Sequence, residues 1–264
     1  MSRGGYTTTT GTVHAGEAEL IWRPREPKDG AAKRGVLLCH GAGSFASTVW
    51  TSNDIVPGQC ALLTLLGGLG FYVVACDLGG QYTFGNDTAT KPTATVGRIV
   101  EAWNVLKTLG CKTDAAIGVG VSMGFQNLIV SAARGAVPFA CIAGIVGLSD
   151  LDDVRDNNRG GLQSAVNSGY GFPAGGTSGT NPFPSYANPN TTTNAALLAA
   201  ACPTYNSVSS ADTTIVPSTV TSLATKVGAS MQIVTHSDSL DHGDPSVAVA
   251  VKRPELAAFL GAHA

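Results

Sequence analysis

Charge is scarce in this 264-residue chain: Asp, Glu, Lys and Arg together make up 13%, and the formal net charge is -2. No run of Lys or Arg occurs, so there is no electrostatic footprint for a phosphate backbone or an anionic membrane surface, and nucleic acid is not an expected partner. Long hydrophobic runs are lacking too, and no segment carries the roughly 20 apolar residues that a membrane-spanning helix needs. Met1 to Val13 is Gly- and Thr-rich without the apolar stretch of a secretory signal. That predicts a soluble, cytoplasmic chain, with incorporation into a larger particle left open. CxxC spacing is missing as well. Cys39, Cys60, Cys76, Cys111, Cys141 and Cys202 are scattered, three of them in apolar, strand-like runs, which favours buried reduced thiols over a disulfide framework or a zinc site.

What is present is apolar material: hydrophobic residues make up 44% of the chain, enough for one continuous core over residues 1–264. Gly16 to Arg23 and Gly35 to His40 read as strands joined by the polar connection Pro24 to Arg34, a hairpin-like start. Gln59 to Leu69 reads as a helix ending at Gly70, and Phe71 to Cys76 as the strand that follows. Thr95 to Leu109 places Val96, Ile99, Val100, Trp103, Leu106 and Leu109 at helical spacing before Gly110. Ala115 to Val121 is then a strand, Gly124 to Ala133 a helix and Phe139 to Leu148 a further apolar run. Strand and helix alternate in this way with strands apolar on both faces, which predicts a mainly parallel sheet covered by helices, an α/β fold.

From Leu151 to about Asn194 the periodicity vanishes, and Gly, Asn, Pro, Ser and Thr dominate. A stretch this long reads as a lid, a binding loop or surface disorder; Tyr170, Phe172, Phe183 and Tyr186 within it favour a loop that touches something apolar. Beyond it come a helix (Ala195 to Ala201), a strand (Pro203 to Ser209), a helix (Pro217 to Val227), a strand (Ser230 to His236) and a last helix (Pro245 to Leu260). There is no internal repeat.

Gly120-Val121-Ser122-Met123-Gly124 fits the nucleophile-elbow pattern G-x-S-x-G. Such a short motif arises freely by chance, but this one lies directly between a strand and a helix, where a sharp turn lifts a serine out of the sheet. Upstream, Leu37-Leu38-Cys39-His40-Gly41-Ala42-Gly43 ends a strand in His-Gly and a small-residue loop. Backbone N–H groups in such a loop can face a developing oxyanion, and those of Ala42 and Met123 are the candidates. His40, at the strand end, reads as a support of that loop.

The segment Pro203 to Pro217 resembles the late-strand signature of the α/β-hydrolases, in which a Pro-led strand ends in a turn carrying an acid and an Ile-Val-Pro step opens the next helix. Asn206, Ser207 and Ser209 depart from that pattern by being polar. The resemblance runs from about Gly16 to Leu260 and leaves residues 151–194 unmatched, where such folds insert a substrate-covering lid. It implies Asp212 as the acid of a triad, with Asp150, Asp152 and Asp153 as rival positions, Ser122 as nucleophile, and His242, in the loop after the last strand, as base. His242 between Asp241 and Asp244 also fits a solvated surface histidine. The implied chemistry is hydrolysis of a carboxylic ester through an acyl-enzyme, with no cofactor or metal. Thioesterase, lipase, polyester hydrolase and peptidase activities use the same machinery, and a non-catalytic binding or structural module is the alternative from another class. Trp50, Leu78, Tyr82 and Phe84, in loops after strands, are candidate pocket residues for a small or lipid-like ester.

Overall fold

The computed structural model describes residues 6–14, 17–24, 33–43, 62, 65–76, 78, 95–236, 242 and 253–264. Within them an eight-stranded sheet has the order β1-β2-β4-β3-β5-β6-β7-β8. Its strands are β1 (Tyr6–His14), β2 (Glu17–Pro24), β3 (Arg34–Cys39), β4 (Val73–Cys76), β5 (Lys112–Val121), β6 (Phe139–Ile145), β7 (Thr204–Ser209) and β8 (Met231–His236). From β4 to β8 every pairing is parallel; β1 and β2 add an antiparallel edge.

The chain's opening corrects the sequence reading. β2 does not form a hairpin with β3; it pairs antiparallel with β1, from Tyr6↔Pro24 onward, and with β4 through Leu20↔Ala75. β1 is a run of threonines and so lacks the apolar alternation that marks a half-buried strand, although β-branched threonine suits extended backbone well. In the sheet, β4 lies between β2 and β3.

Helices cover both faces of the sheet. α1 (Thr95–Lys107) and α2 (Met123–Ala133) precede the insertion; α3 (Leu151–Asp156) and α4 (Gln163–Tyr170) lie within it; α5 (Thr192–Ala201), α6 (Pro217–Val227) and α7 (Arg253–Ala262) follow. Successive residues of β3 show why the strands are apolar throughout. Leu37 and Cys39 join a cluster with Ile99, Leu106, Phe125, Ile129 and Leu223 on one face. Val36 and Leu38 join Leu66, Phe71, Val119, Tyr205 and Leu256 on the other. A strand that buries both faces loses its period-2 pattern. In α1 the buried residues Val96, Ile99, Trp103 and Leu106 are the ones whose spacing predicts the helix, and Gly110, at φ 83°, follows it. Of the expected helix from Gln59 to Leu69, residue 62 and residues 65–68 are helical, Leu69 is already in a turn, and the remainder lies outside the described residues, as does the first part of the last helix.

Residues 151–194 are not structureless, another correction. They hold α3, a 3₁₀ turn (Arg159–Gly161), α4 and a series of turns. Helices of 6 and 8 residues are too short to display a periodicity and too short to stand alone, so tertiary contacts have to hold them. Asp150 caps α3 by accepting from the N–H groups of Asp152 and Asp153. The fully buried Arg155 donates to Asp152, Asp156 and the Asn181 carbonyl while its guanidinium lies 3.7 Å from the Phe183 ring centroid. Tyr170 meets Phe183 edge-on at 4.8 Å. Tyr170, Phe172 and Phe183 therefore pack on one another, with Arg155 over the two phenylalanines, while Tyr186 lies under Arg134.

Candidate active site

Ser122 stands between β5 and α2 at φ 49°, ψ -113°. A non-glycine residue at positive φ is strained and persists only where its surroundings fix it. Two glycines make the turn fit. A Cβ on Gly120 would come within 2.3 Å of the Phe125 nitrogen, and one on Gly124 within 2.3 Å of the Cys39 carbonyl oxygen, so any side chain at either position would push α2 off the ends of β3 and β5. The Ser122 N–H donates to the Ile145 carbonyl at 3.0 Å, and its carbonyl accepts from Leu148 N–H at 3.0 Å and Phe125 N–H at 3.1 Å.

His242 completes a hydrogen-bonded chain. Its Nε2 lies 2.8 Å from Ser122 Oγ, and its Nδ1 lies 2.8 Å from Asp212 Oδ2. A carboxylate only accepts, so Nδ1 carries the proton and Nε2 presents its lone pair to the serine hydroxyl. The Asp212 side chain is fully buried, whereas that of His242 keeps 19% exposure. Asp212 Oδ1 accepts from the N–H groups of Thr214 at 2.9 Å and Ile215 at 2.7 Å, which fixes the carboxylate plane and satisfies its second oxygen. Val216 then caps α6, and Pro217 takes its first position, where a missing N–H costs nothing.

The rival carboxylates are engaged elsewhere. Asp150 accepts from Asn188 Nδ2 at 2.9 Å and Asn190 Nδ2 at 2.5 Å, beside its capping bonds. Asp153 is bridged to Arg159 at 3.1 Å, and Asp152 to Arg155 at 3.3 Å and Asn188 at 2.7 Å. Partial burial raises the Asp152 carboxyl above its usual range, with Asn188 opposing the shift.

Gly41 lies against the serine: a Cβ built on it would be 3.5 Å from Ser122 Cβ. Ala42 follows, half-buried, in a turn closed by Gly43 at φ 78°. Met123 opens α2, so its N–H belongs to the first turn, which has no acceptor within the helix. Buried His40 donates from Nδ1 to the Gly41 carbonyl at 2.9 Å and accepts the Leu78 N–H on Nε2 at 3.5 Å, supporting the loop. Leu78 itself is fully buried and packs in the core cluster that holds Cys76 and Ile99. Trp50, Tyr82 and Phe84 lie outside the described residues.

All these groups sit just past the C-terminal ends of parallel strands: His40 and Ala42 after β3, Ser122 after β5, Asp212 after β7 and His242 after β8. Open α/β sheets place their ligand crevice on this side. Residues 151–194 begin three residues beyond Leu148 and are tied to α2 through Gln126 Nε2, which donates to the Ala187 carbonyl at 3.0 Å. Sequence reasoning missed the segment 145–148 as a contact of Ser122; its one sequence signal is the apolar run continuing to Leu148, past the end of β6. Among the described residues no three His, Cys, Asp or Glu side chains converge as a metal site would require, and no helix is long and apolar enough to cross a membrane.

No family model and no curated protein matches the sequence. Solved structures match along nearly its whole length. It is similar to FphF, a fluorophosphonate-binding serine hydrolase of Staphylococcus aureus, at 13% identity and TM-score 0.68, covering 98% of both chains. It is also similar to S-formylglutathione hydrolase FrmB of Staphylococcus aureus, at 12% identity and TM-score 0.69, covering 98% of this chain and 100% of that one. The esterase Pf2001 of Pyrococcus furiosus matches at 16% identity and TM-score 0.62, with 98% and 89% covered. With its central parallel strands flanked by helices, the chain has the α/β-hydrolase fold.

Proposed function

We propose that the protein is a serine hydrolase that cleaves a carboxylic ester, with Ser122 as nucleophile, His242 as general base and Asp212 as the acid that orients it. The observation that carries this reading is the unbroken chain of two 2.8 Å hydrogen bonds from Ser122 through His242 to Asp212, ending on a serine held at φ 49°. Fold similarity to hydrolases and esterases supports the same class.

In the first half-reaction His242 Nε2 takes the Ser122 Oγ proton as Oγ bonds to the ester carbonyl carbon. The resulting oxyanion is met by the N–H groups of Ala42 and Met123, each worth about 3 kcal/mol in the transition state. As the intermediate collapses, His242 returns the proton to the leaving alkoxide and Ser122 holds the acyl group. Water, deprotonated by His242, then attacks the acyl carbon; the bond from that carbon to Ser122 Oγ breaks, His242 returns the proton to Oγ, and the acid leaves. Asp212 stays ionised throughout; it fixes the Nδ1–H tautomer and balances the imidazolium. Proton transfer through His242 contributes about 10²- to 10⁴-fold. To residues 151–194, tied to α2 through the Gln126–Ala187 hydrogen bond, we assign the role of covering the substrate.

The test is turnover of a panel of p-nitrophenyl esters of increasing acyl length by the wild type and by Ser122→Ala. The account expects hydrolysis by the wild type and none above background by the folded variant. Wild-type-like turnover in Ser122→Ala sinks the assignment, and no turnover of any ester by the wild type favours a non-catalytic module.

A further inference from the structure

Asn206 and Ser207 are out of character in β7. Their side chains are buried, 0% and 1% exposed, in a strand flanked on both sides, and neither belongs to the Ser122–His242–Asp212 chain. Each has a defined task. The Asn206 carboxamide takes both backbone groups of Gly147: Oδ1 accepts the Gly147 N–H at 2.9 Å, and Nδ2 donates to the Gly147 carbonyl at 3.0 Å. Nδ2 also donates to Ser149 Oγ at 3.2 Å, which itself donates to the Gly147 carbonyl at 3.2 Å. Ser207 Oγ accepts the Val146 N–H at 3.4 Å.

The held turn is strained. Val146 sits at φ 45°, where a β-branched side chain is an outlier. Space is reserved for the amide: a Cβ on Gly144 would meet Asn206 Oδ1 at 2.5 Å, and one on Gly147 would meet it at 2.7 Å and the Phe125 ring at 2.4 Å. The residues on either side of this turn grip the serine, since the Ile145 carbonyl accepts the Ser122 N–H and the Leu148 N–H donates to the Ser122 carbonyl. Two strained turns, at Ser122 and Val146, therefore lean on each other; the Asn206 amide holds the second at Gly147 through two hydrogen bonds, and Ser207 Oγ adds a longer one at Val146.

We infer that Asn206 is a positioning residue: through Gly147 and its neighbours it sets the backbone of the nucleophile turn and so the aim of Ser122 Oγ at a bound ester. This rests on Ser122 being the nucleophile. Loss of the amide should leave substrate binding intact and slow the attack, because a small misplacement of a reacting atom weighs on the chemical step.

The experiment compares wild type, Asn206→Leu, Asn206→Ala and Thr204→Val. The last removes another buried hydroxyl of β7, one that donates to the Cys202 carbonyl at 3.4 Å. Each is assayed, where its circular dichroism is native, for kcat and KM on a p-nitrophenyl ester and for the rate of fluorophosphonate labelling at Ser122. The Asn206 variants should lose roughly 10- to 100-fold in kcat and in labelling rate, with KM within about threefold, while Thr204→Val keeps wild-type rates. Asn206→Ala, which cannot crowd Phe125, carries the comparison if the leucine variant does not fold. Wild-type rates in a folded Asn206 variant overturn the inference, as does an equal loss in Thr204→Val. A wild type that does not label at Ser122 overturns instead the nucleophile assignment beneath it.

Discussion

At the residue scale the account turns on which carboxylate faces His242. Asp212 does so at 2.8 Å and is held by two backbone N–H groups, while Asp150, Asp152 and Asp153 are committed to caps, asparagines and arginines of the insertion. Asp212→Asn should keep the fold and lower kcat by about 10⁴-fold, because an amide favours the wrong imidazole tautomer. Asp153→Asn should change kcat by less than about threefold; steady-state kinetics on one ester checks both. That Ser122, His242 and Asp212 come into one hydrogen-bonded chain agrees with the sequence reading, because each lies in a loop directly after a strand, where motif and chain order constrain the choice. The bracket on Ser122 from residues 145–148 was not legible in the sequence, since it depends on the register of β6 against β5 and on a backbone twist at Val146 that no residue type announces.

At the element scale the elbow is a packing problem. Gly120→Ala and Gly124→Ala each set a methyl group against backbone atoms at 2.3 Å, a clash that no rotamer relieves. Each should lower stability by about 3 kcal/mol in urea unfolding. Gly68→Ala has nothing within 4 Å of its new Cβ and should be neutral or slightly stabilising. The insertion is pinned by a buried cation. Arg155→Met should cost about 2 kcal/mol, since it takes the Arg155 donor from the Asn181 carbonyl and one of the partners from each of Asp152 and Asp156, which keep Asn188 and Ser178. It should also open residues 151–194 to limited proteolysis before the sheet; cleavage no faster than in the wild type contradicts this. α1 and α6 were legible because 13 and 11 residues display a full apolar stripe. The two short helices of the insertion were hidden by their length, and β1 by its threonines, because what holds them lies far away in sequence.

At the scale of the whole molecule, burial on both faces of the sheet carries the chemistry of the thiols with it. Cys39, Cys76, Cys111, Cys141 and Cys202 are all buried. Burial pushes Cys141 and Cys202 from an ordinary value of 9.0 up to about 12. Both should resist a thiol reagent at pH 8 in the native protein and react within minutes in urea. The linkage has a definite sign. A raised folded value favours the neutral thiol, so this stability is fully present below pH 9 and is lost as pH climbs from 9 toward 12, where only the unfolded chain ionises. A urea midpoint that rises over that interval contradicts it.

The central claim is that Ser122 is a nucleophile activated by His242. Incubation of the folded protein with a fluorophosphonate, followed by mass spectrometry of its peptides, tests this most directly, with His242→Ala alongside. The account predicts one phosphonate adduct, on Ser122, in the wild type and its loss in the variant. Folded wild-type protein that stays unlabelled, or a variant that labels as fast, contradicts it.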